Sequence, residues 1–417
     1  MRRERIPELD GYRVLFVVLV SVYHFWQQSW LRPGLFGADL DFLARAGYVF
    51  VDPTILLSGF LLFLPWVRGG GAPEAPGRFL RRRLARVWPS LAFVTLFMLF
   101  ADALPRDLYG EAWRPPLWRD VVSHLTFTFP FFRDTYQNTP LGGASWTVAV
   151  EMHFYLLFPF LARAAKKRPG AVLGGMCAAA AYFRLWCLWT QRTYDMVVNQ
   201  MANFLDVYAL GMACALLWPR LTALRERFAS APPGRRLALQ GAATAAGVKC
   251  AALFLQLLRR QASMSEMEDL QASQMILRPL FALCAAGMLL TLPLALRPVR
   301  KLFGNPVTRF LAGISMNYYL LHANIATLLK TPAVRAWLET PRDWLGGKRI
   351  LYSPYEFPNY EGDHRWQVGY VVLCVLLSVL GAALVTYAVE KPLGRLIMGK
   401  WRKEPPVEGI SGGSDAV

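Results

Sequence analysis

His24 lies in the apolar run Val14–Trp26, where a titratable side chain is costly to hold and therefore marks candidate chemistry. Arg13 precedes it by 11 residues, close to three helical turns. The two side chains then point nearly the same way, roughly 16 Å apart along the axis. Asp10, Ser21 and Gln28 fall near the same stripe. A neutral imidazole at such a position can take a proton from a hydroxyl, or carry an acyl group itself. The plainer reading is a packing histidine that donates to a carbonyl. A second group is Arg78, Arg81, Arg82, Arg83 and Arg86. Arg83 and Arg86 are three apart and form a two-pronged clamp on a helix, suited to phosphate oxygens. The same cluster could instead anchor to lipid head groups. A third group is Glu151, followed by His153 and Tyr155. A carboxylate there needs a partner. It could orient His24 as carboxylates do in triads, or bond one helix to another. His322 and Lys249 are lesser candidates inside apolar segments, and His124 and His364 lie outside them. None of the 5 histidines has the spacing of a metal site, and we expect no metal. Hydrolase elbows, phosphate loops and dinucleotide fingerprints are missing from the sequence.

The elements that must position these groups are long apolar segments. Of 417 residues, 55% are hydrophobic and only 18% charged, against about a quarter charged in a soluble domain. That excludes a disordered chain, a disulfide scaffold and an ordinary cytosolic enzyme. We expect an all-α integral membrane protein, a single bundle of about ten transmembrane helices, near 12–30, 47–67, 88–104, 145–162, 171–190, 200–218, 237–258, 276–296, 309–329 and 367–389. The first apolar run lacks a small-residue cleavage site and is expected to be a span. A net charge of +18 would suggest nucleic acid in a soluble protein; here it follows from Lys and Arg on cytoplasmic loops, and no nucleic-acid partner is expected. Most of the 46 Lys and Arg fall on one side if both termini are cytoplasmic, so the expected topology is N-in, C-in. The 6 cysteines, all in apolar segments, are expected to be buried hydrophobes. Three outer stretches have substance: 105–144, in which Leu117–Phe132 could lie in the interface or re-enter; 259–275, which is polar; and 330–366, a candidate lid or plain loop.

Six short motifs follow one another at matching depths. Glu8-Leu9-Asp10-Gly11-Tyr12-Arg13 precedes His24-Phe25. Val51-Asp52 precedes Ser58-Gly59-Phe60-Leu61. Arg83-Leu84-Ala85-Arg86 precedes Trp88-Pro89. Ser145-Trp146 leads through Glu151 to Phe154-Tyr155-Leu156-Leu157-Phe158-Pro159. Tyr319-Leu320-Leu321-His322 and Tyr387-Ala388-Val389-Glu390-Lys391-Pro392 close the series. Together they resemble the acyltransferase 3 family of integral membrane acyltransferases over about residues 5–395. Pro53 and Thr54 stand where the family usually has apolar or aromatic residues, and Met152 and His153 depart from the pattern after Glu151.

The resemblance implies transfer of an acyl group, usually acetyl, from cytoplasmic acyl-CoA to a hydroxyl of a glycan or small molecule. It implies His24 as the catalytic histidine with Arg13 and Glu151 beside the reaction. Arg82, Arg83 and Arg86 would then hold the phosphates of acetyl-CoA, and Asp10, Ser21 and His322 are assigned to substrate binding. Residues 1–400 would form the transmembrane acyltransferase domain and 401–417 a disordered cytoplasmic tail. A bacterial inner membrane suits the inside-to-outside logic. The competing class is a proton-coupled transporter, to which intramembrane His, Glu and Lys are equally suited.

Overall fold

Apolar segments of this length fold as helices in lipid, since each backbone N–H and C=O must bond within its own segment. In a computed structural model describing residues 5–69, 74–193, 195–264, 266–331 and 364–399, the chain is almost entirely helical. Helix α1 (Glu8–Ser29) leads into a two-stranded hairpin, β1 (Gly34–Leu35) and β2 (Ala38–Asp39), and the short α2 (Asp41–Arg45). Then come α3 (Val51–Arg68), α4 (Pro76–Met98), α5 (Leu117–Leu125), α6 (Arg133–Gln137), α7 (Trp146–Lys167), α8 (Pro169–Trp189) and α9 (Asp195–Val198). The chain continues through α10 (Leu205–Ser230), α11 (Pro233–Ala262), α12 (Met267–Thr291), α13 (Arg297–Phe303), α14 (Pro306–Leu329), α15 (His364–Val385) and α16 (Lys391–Ile397).

Among the described residues, nine helical stretches are long and apolar enough to cross a membrane. A tenth long helix, α14, has 24 residues and buries Ser315, Asn317, Tyr318, Tyr319, His322 and Asn324. The chain is an all-α, multi-pass membrane protein, as its composition implies. The apolar stretches marked the spans, but hydrogen bonding carries the helices further: α4 begins at Pro76, so the arginine cluster lies on its first turns. Residues 332–363, most of the expected lid, and the expected tail 401–417 lie outside the described residues.

Two packings set the site. Helices α1 and α14 lie side by side and run the same way. The Ser21 hydroxyl meets the Tyr318 hydroxyl at 2.7 Å, and near the far end Lys330 Nζ donates to the Gln28 carbonyl. The start of α14 is fixed by a capping box in which Asn305 accepts from Thr308 N. Helices α3 and α10 pack closely because each presents a glycine to the other's backbone. A Cβ at Gly59 would sit 2.6 Å from the Tyr208 carbonyl oxygen, and Gly211 abuts Leu56. Valine at 59 must push the helices apart, and overpacking of this kind costs about 1–3 kcal/mol or more. Gly59→Val is therefore expected to lower the thermal midpoint of the detergent-solubilised protein by several degrees; an unchanged midpoint would contradict this packing.

Buried charges hold the segment before α10. Arg278, with no exposed surface, lies 3.3 Å from Asp52 and donates to the Val198 carbonyl at 3.2 Å. Arg184 grips both oxygens of Asp206 at 2.6 and 2.7 Å and donates to Asn203. Breaking one partner of such a pair strands the other charge. Helix α5 is amphipathic in the sense lipid requires: Asp120, Ser123 and His124 are buried, whereas Leu117, Trp118 and Val122 are exposed. It packs on α4 within the 105–144 segment and leaves its apolar side chains on the outer surface.

Candidate active site

His24 does not face hydrocarbon. It lines a cavity of about 900 Å³, together with Trp26, Gln27, Tyr48, Trp146 and Asn324. This is near the upper end of small-molecule sites, roughly 300–1,000 Å³. Amides and aromatic rings share its wall with Arg45, Arg106, Arg114 and Asp102, and the polar stretch at the α11–α12 junction adds Gln271 and Gln274.

The tautomer of His24 follows from its neighbours. Gln27 Nε2 donates to the Tyr23 hydroxyl at 2.9 Å, which turns Gln27 Oε1 toward His24 Nδ1 at 3.0 Å. Nδ1 therefore carries the hydrogen and donates it, and Nε2 keeps its lone pair. The His24 ring sits 5.0 Å from that of Tyr23 and 5.0 Å from that of His322. His322 is fully buried, and its Nδ1 donates to the Tyr318 carbonyl at 3.2 Å. It lies behind His24 rather than on the cavity wall.

The carboxylate expected beside His24 is elsewhere. Glu151 accepts from Ser58 Oγ at 2.7 Å and from the Tyr155 hydroxyl at 2.8 Å. These three line a second cavity, of about 170 Å³, together with Arg13, Arg83 and Arg86. Arg13 and His24 share a stripe on α1, but their separation along the helix places them in different cavities. About six waters would fill the smaller one at roughly 30 Å³ each. Its narrow inner part can take the end of a thin chain. Arg83 also lies over the rings of Phe79 and Tyr155, at 5.2 and 5.4 Å.

Tyr319 lines both cavities. Its hydroxyl is buried, with Thr147 and Glu151 as polar neighbours, and its ring is 5.4 Å from that of His322. The amphipathic repeat of α14 puts Tyr318 and His322 one turn apart against α1, with Tyr319 turned toward the seam between the cavities.

Besides Glu151 and His322, which was assigned to substrate binding and lines neither cavity, three more sequence-based assignments differ from the structure. Asp10 pairs with Arg5 at 2.5 Å near the start of α1 and lines neither cavity. Ser21 is fully buried, bonded to Tyr318 and the Val18 carbonyl, so it ties α1 to α14. Arg82 pairs with Glu74 and points away from the Arg83–Arg86 cavity. On a helix, 82 lies about 100° from 83, which carries it off that face. Gln27 and Tyr319 were missed as site residues: the first looks like any interfacial amide, the second like part of an aromatic pair. Glu390, in the closing motif, accepts from Asn317 Nδ2 at 2.7 Å where a π-turn, Thr386–Glu390, interrupts the helix. Among the described residues no cluster of three or more metal-type ligands occurs.

The sequence model of a family described as an acyltransferase domain matches residues 6–388. The chain belongs to the acyltransferase 3 family. It is similar to the acyltransferase MdmB of Streptomyces mycarofaciens, at 27% identity over 190 residues, 44% of this chain and 46% of that one. It is 26% identical over 362 residues to the peptidoglycan O-acetyltransferase OatA of Listeria monocytogenes, covering 82% of this chain and 52% of the relative. The O-acetyltransferase OatA of Staphylococcus aureus matches at 26% identity over 165 residues, 37% of this chain and 24% of that one. The chain thus spans about half or less of the length of these family members. No solved structure matches.

Proposed function

We propose that this acyltransferase family member is a membrane O-acyltransferase. It moves an acetyl group from acetyl-CoA to a hydroxyl of a cell-envelope carbohydrate or other hydroxyl-bearing small molecule. The observation that carries this reading is the pairing of two cavities at Tyr319: the smaller is lined by Arg13, Arg83 and Arg86, and the larger by an imidazole whose Nε2 is left free to accept a proton, with Arg45, Arg106 and Arg114 elsewhere on its wall. Both termini would lie in the cytoplasm of a bacterial cell, with the chain in the plasma membrane and the arginines on the cytoplasmic side.

In this reading Arg83, Arg86 and Arg13 attract the anionic end of the donor, and the pantetheine arm carries the thioester to the seam. His24 Nε2 takes the proton of the acceptor hydroxyl as its oxygen attacks the thioester carbonyl carbon. The C–S bond breaks, the acetyl ester forms, and the thiolate leaves as CoA, taking the proton back from the imidazolium. Gln27 holds the ring and receives the Nδ1 hydrogen throughout; it is a positioning residue. His322 backs the His24 ring. Glu151 stays with Ser58 and Tyr155 on the donor side, where its charge offsets the arginines. The relatives named as peptidoglycan or other O-acetyltransferases support a carbohydrate acceptor, as do the amides and aromatic rings of the larger cavity.

Proteoliposomes holding the full chain, given acetyl-labelled CoA and a panel of envelope glycans, are expected to yield a labelled ester by mass spectrometry. With Arg83→Glu and Arg86→Glu, the apparent KM for acetyl-CoA is expected to rise at least tenfold, since charged hydrogen bonds are worth about 1.5–3 kcal/mol each. Transport of a solute without thioester turnover would favour the exporter class instead. An unchanged KM would leave the arginines as lipid anchors.

A further inference from the structure

Away from both cavities, three arginines meet at the end of the bundle where α1 begins. Arg236 on the first turn of α11 and Arg297 and Arg300 on α13 line a space of about 480 Å³ with Gln240 and Leu237. The short helix α13 is held there by sequence-specific contacts. Its preceding residue donates, Leu296 N to Thr244 Oγ1 of α11, at 2.9 Å, and Gly11 of α1 abuts Phe303. The backbone that carries Arg297 and Arg300 is thus fixed by packing against α1 and α11.

The charges do not cancel. Glu8 lies 3.9 Å from the Arg300 guanidinium but is shared with Arg225 at 3.4 Å. Among the described residues neither Arg236 nor Arg297 takes part in an ion pair, and Arg300 Nε is buried without a hydrogen-bond partner. Burial, with Arg225 and Arg297 adding repulsion, pushes the Arg300 pKa down against the pull of Glu8. Like charges held together in this way gain from a counter-anion. The start of α11, a helix of 30 residues, adds the positive end of its dipole.

We propose that this cavity binds a phosphate-bearing anion, the phosphodiester head group of an anionic phospholipid. The lipid is favoured over a soluble phosphate by what surrounds the arginines. Leu237, on the cavity wall, is 63% exposed, and three turns on the same face of the helix carries exposed Val248, a surface along which an acyl chain can lie. The space admits a phosphoglycerol group and excludes nothing on its open side. Arginine pockets between helices are a known chemistry for such head groups. The site does not depend on the acyl-transfer reading.

The test uses the full chain in phosphatidylcholine nanodiscs with and without phosphatidylglycerol. Wild type is expected to retain phosphatidylglycerol in native mass spectrometry and to unfold several degrees higher when it is present. Arg236→Gln with Arg297→Gln is expected to lose about tenfold or more of the retained lipid and the added thermal shift, with its midpoint in phosphatidylcholine unchanged. Both side chains are exposed, so the variant keeps the fold. Arg236→Lys with Arg297→Lys should restore part of the retention through charge alone. Equal retention in wild type and the glutamine variant would overturn the proposal. So would protection of detergent-solubilised wild type by inorganic phosphate together with none by phosphatidylglycerol, since the occupant would then be soluble.

Discussion

Alanine at His24 is expected to lower kcat for acetyl transfer by about 10²–10⁴-fold, the range that a positioned proton acceptor contributes. The donor side is untouched, so the KM for acetyl-CoA should stay within about twofold while kcat collapses, the signature of an interaction made only in the transition state. The substitution removes ring contacts to Tyr23 and His322 as well. Thermal midpoint and elution of the inserted protein are therefore measured alongside. A second variant separates the base from its holder. Gln27→Leu keeps His24 but frees its tautomer, and about a tenfold loss is expected from one hydrogen bond. Gln27→Glu, which can also accept from Nδ1, should recover most of it. Full activity in the alanine variant, with the protein intact, would remove His24 from the mechanism.

Much of the fold was legible because lipid leaves a long apolar segment one option. Among the described residues, nine helices long and apolar enough to cross a membrane stand where hydropathy put spans, and α14, the tenth, is the instructive case. Its apolar residues marked it as a span, yet its polar face, from Ser315 to Asn324, is turned inward and forms one wall of the site. Helix ends were less legible, because hydropathy stops where water begins and hydrogen bonding does not. The arginines of α4 and the long start of α11 show this.

The site divides differently. Titratable groups inside spans are costly, so His24, Arg13 and Glu151 announced themselves. Their separation did not, because it depends on which helices face one another. Spacing on α1 gave direction and distance along an axis. It could not show that Tyr319, from a helix almost 300 positions later, would stand between the two ends of the stripe. Glu151 found hydroxyls because Ser58, on α3, and Tyr155, one turn on, are nearer than any ring. Buried carboxylates take the nearest donors. Ser21 and Arg82 show the converse error: a residue on the right stripe, or next in sequence to the right pair, is spent on packing or on a surface ion pair. Nothing in composition marks Arg184 and Arg278 as one network around Asn203, since their partners come from four segments.

Replacing Tyr319 by alanine should merge the cavities, and this carries the largest mechanistic consequence of the two-cavity arrangement. Transfer requires the thioester carbon and the acceptor oxygen to approach within about 3–3.5 Å. With Tyr319 as the shared wall, that meeting needs its ring to swing aside once donor and acceptor are both seated. In the proposed reaction the closed ring would keep water in the larger cavity from a thioester held on the other side. Without the ring, water can take the acceptor's place: its oxygen attacks the carbonyl carbon, CoA leaves, and acetate is released. Tyr319→Ala is thus expected to lose about 10²-fold in transfer through poorer positioning, while acetyl-CoA hydrolysis without acceptor rises above that of wild type. Tyr319→Trp keeps a wall and should slow both reactions. Tyr319→Phe keeps the wall but lacks the hydroxyl, so it should not leak; a fall in its kcat would assign that hydroxyl to the developing oxyanion. The ratio of acetate to ester, followed in one assay with labelled acetyl-CoA, reads these outcomes directly. If wild type makes ester and the folded alanine variant shows no greater hydrolysis than wild type, Tyr319 is not the partition. If wild type makes no ester with any hydroxyl acceptor, the acyl-transfer reading itself has failed.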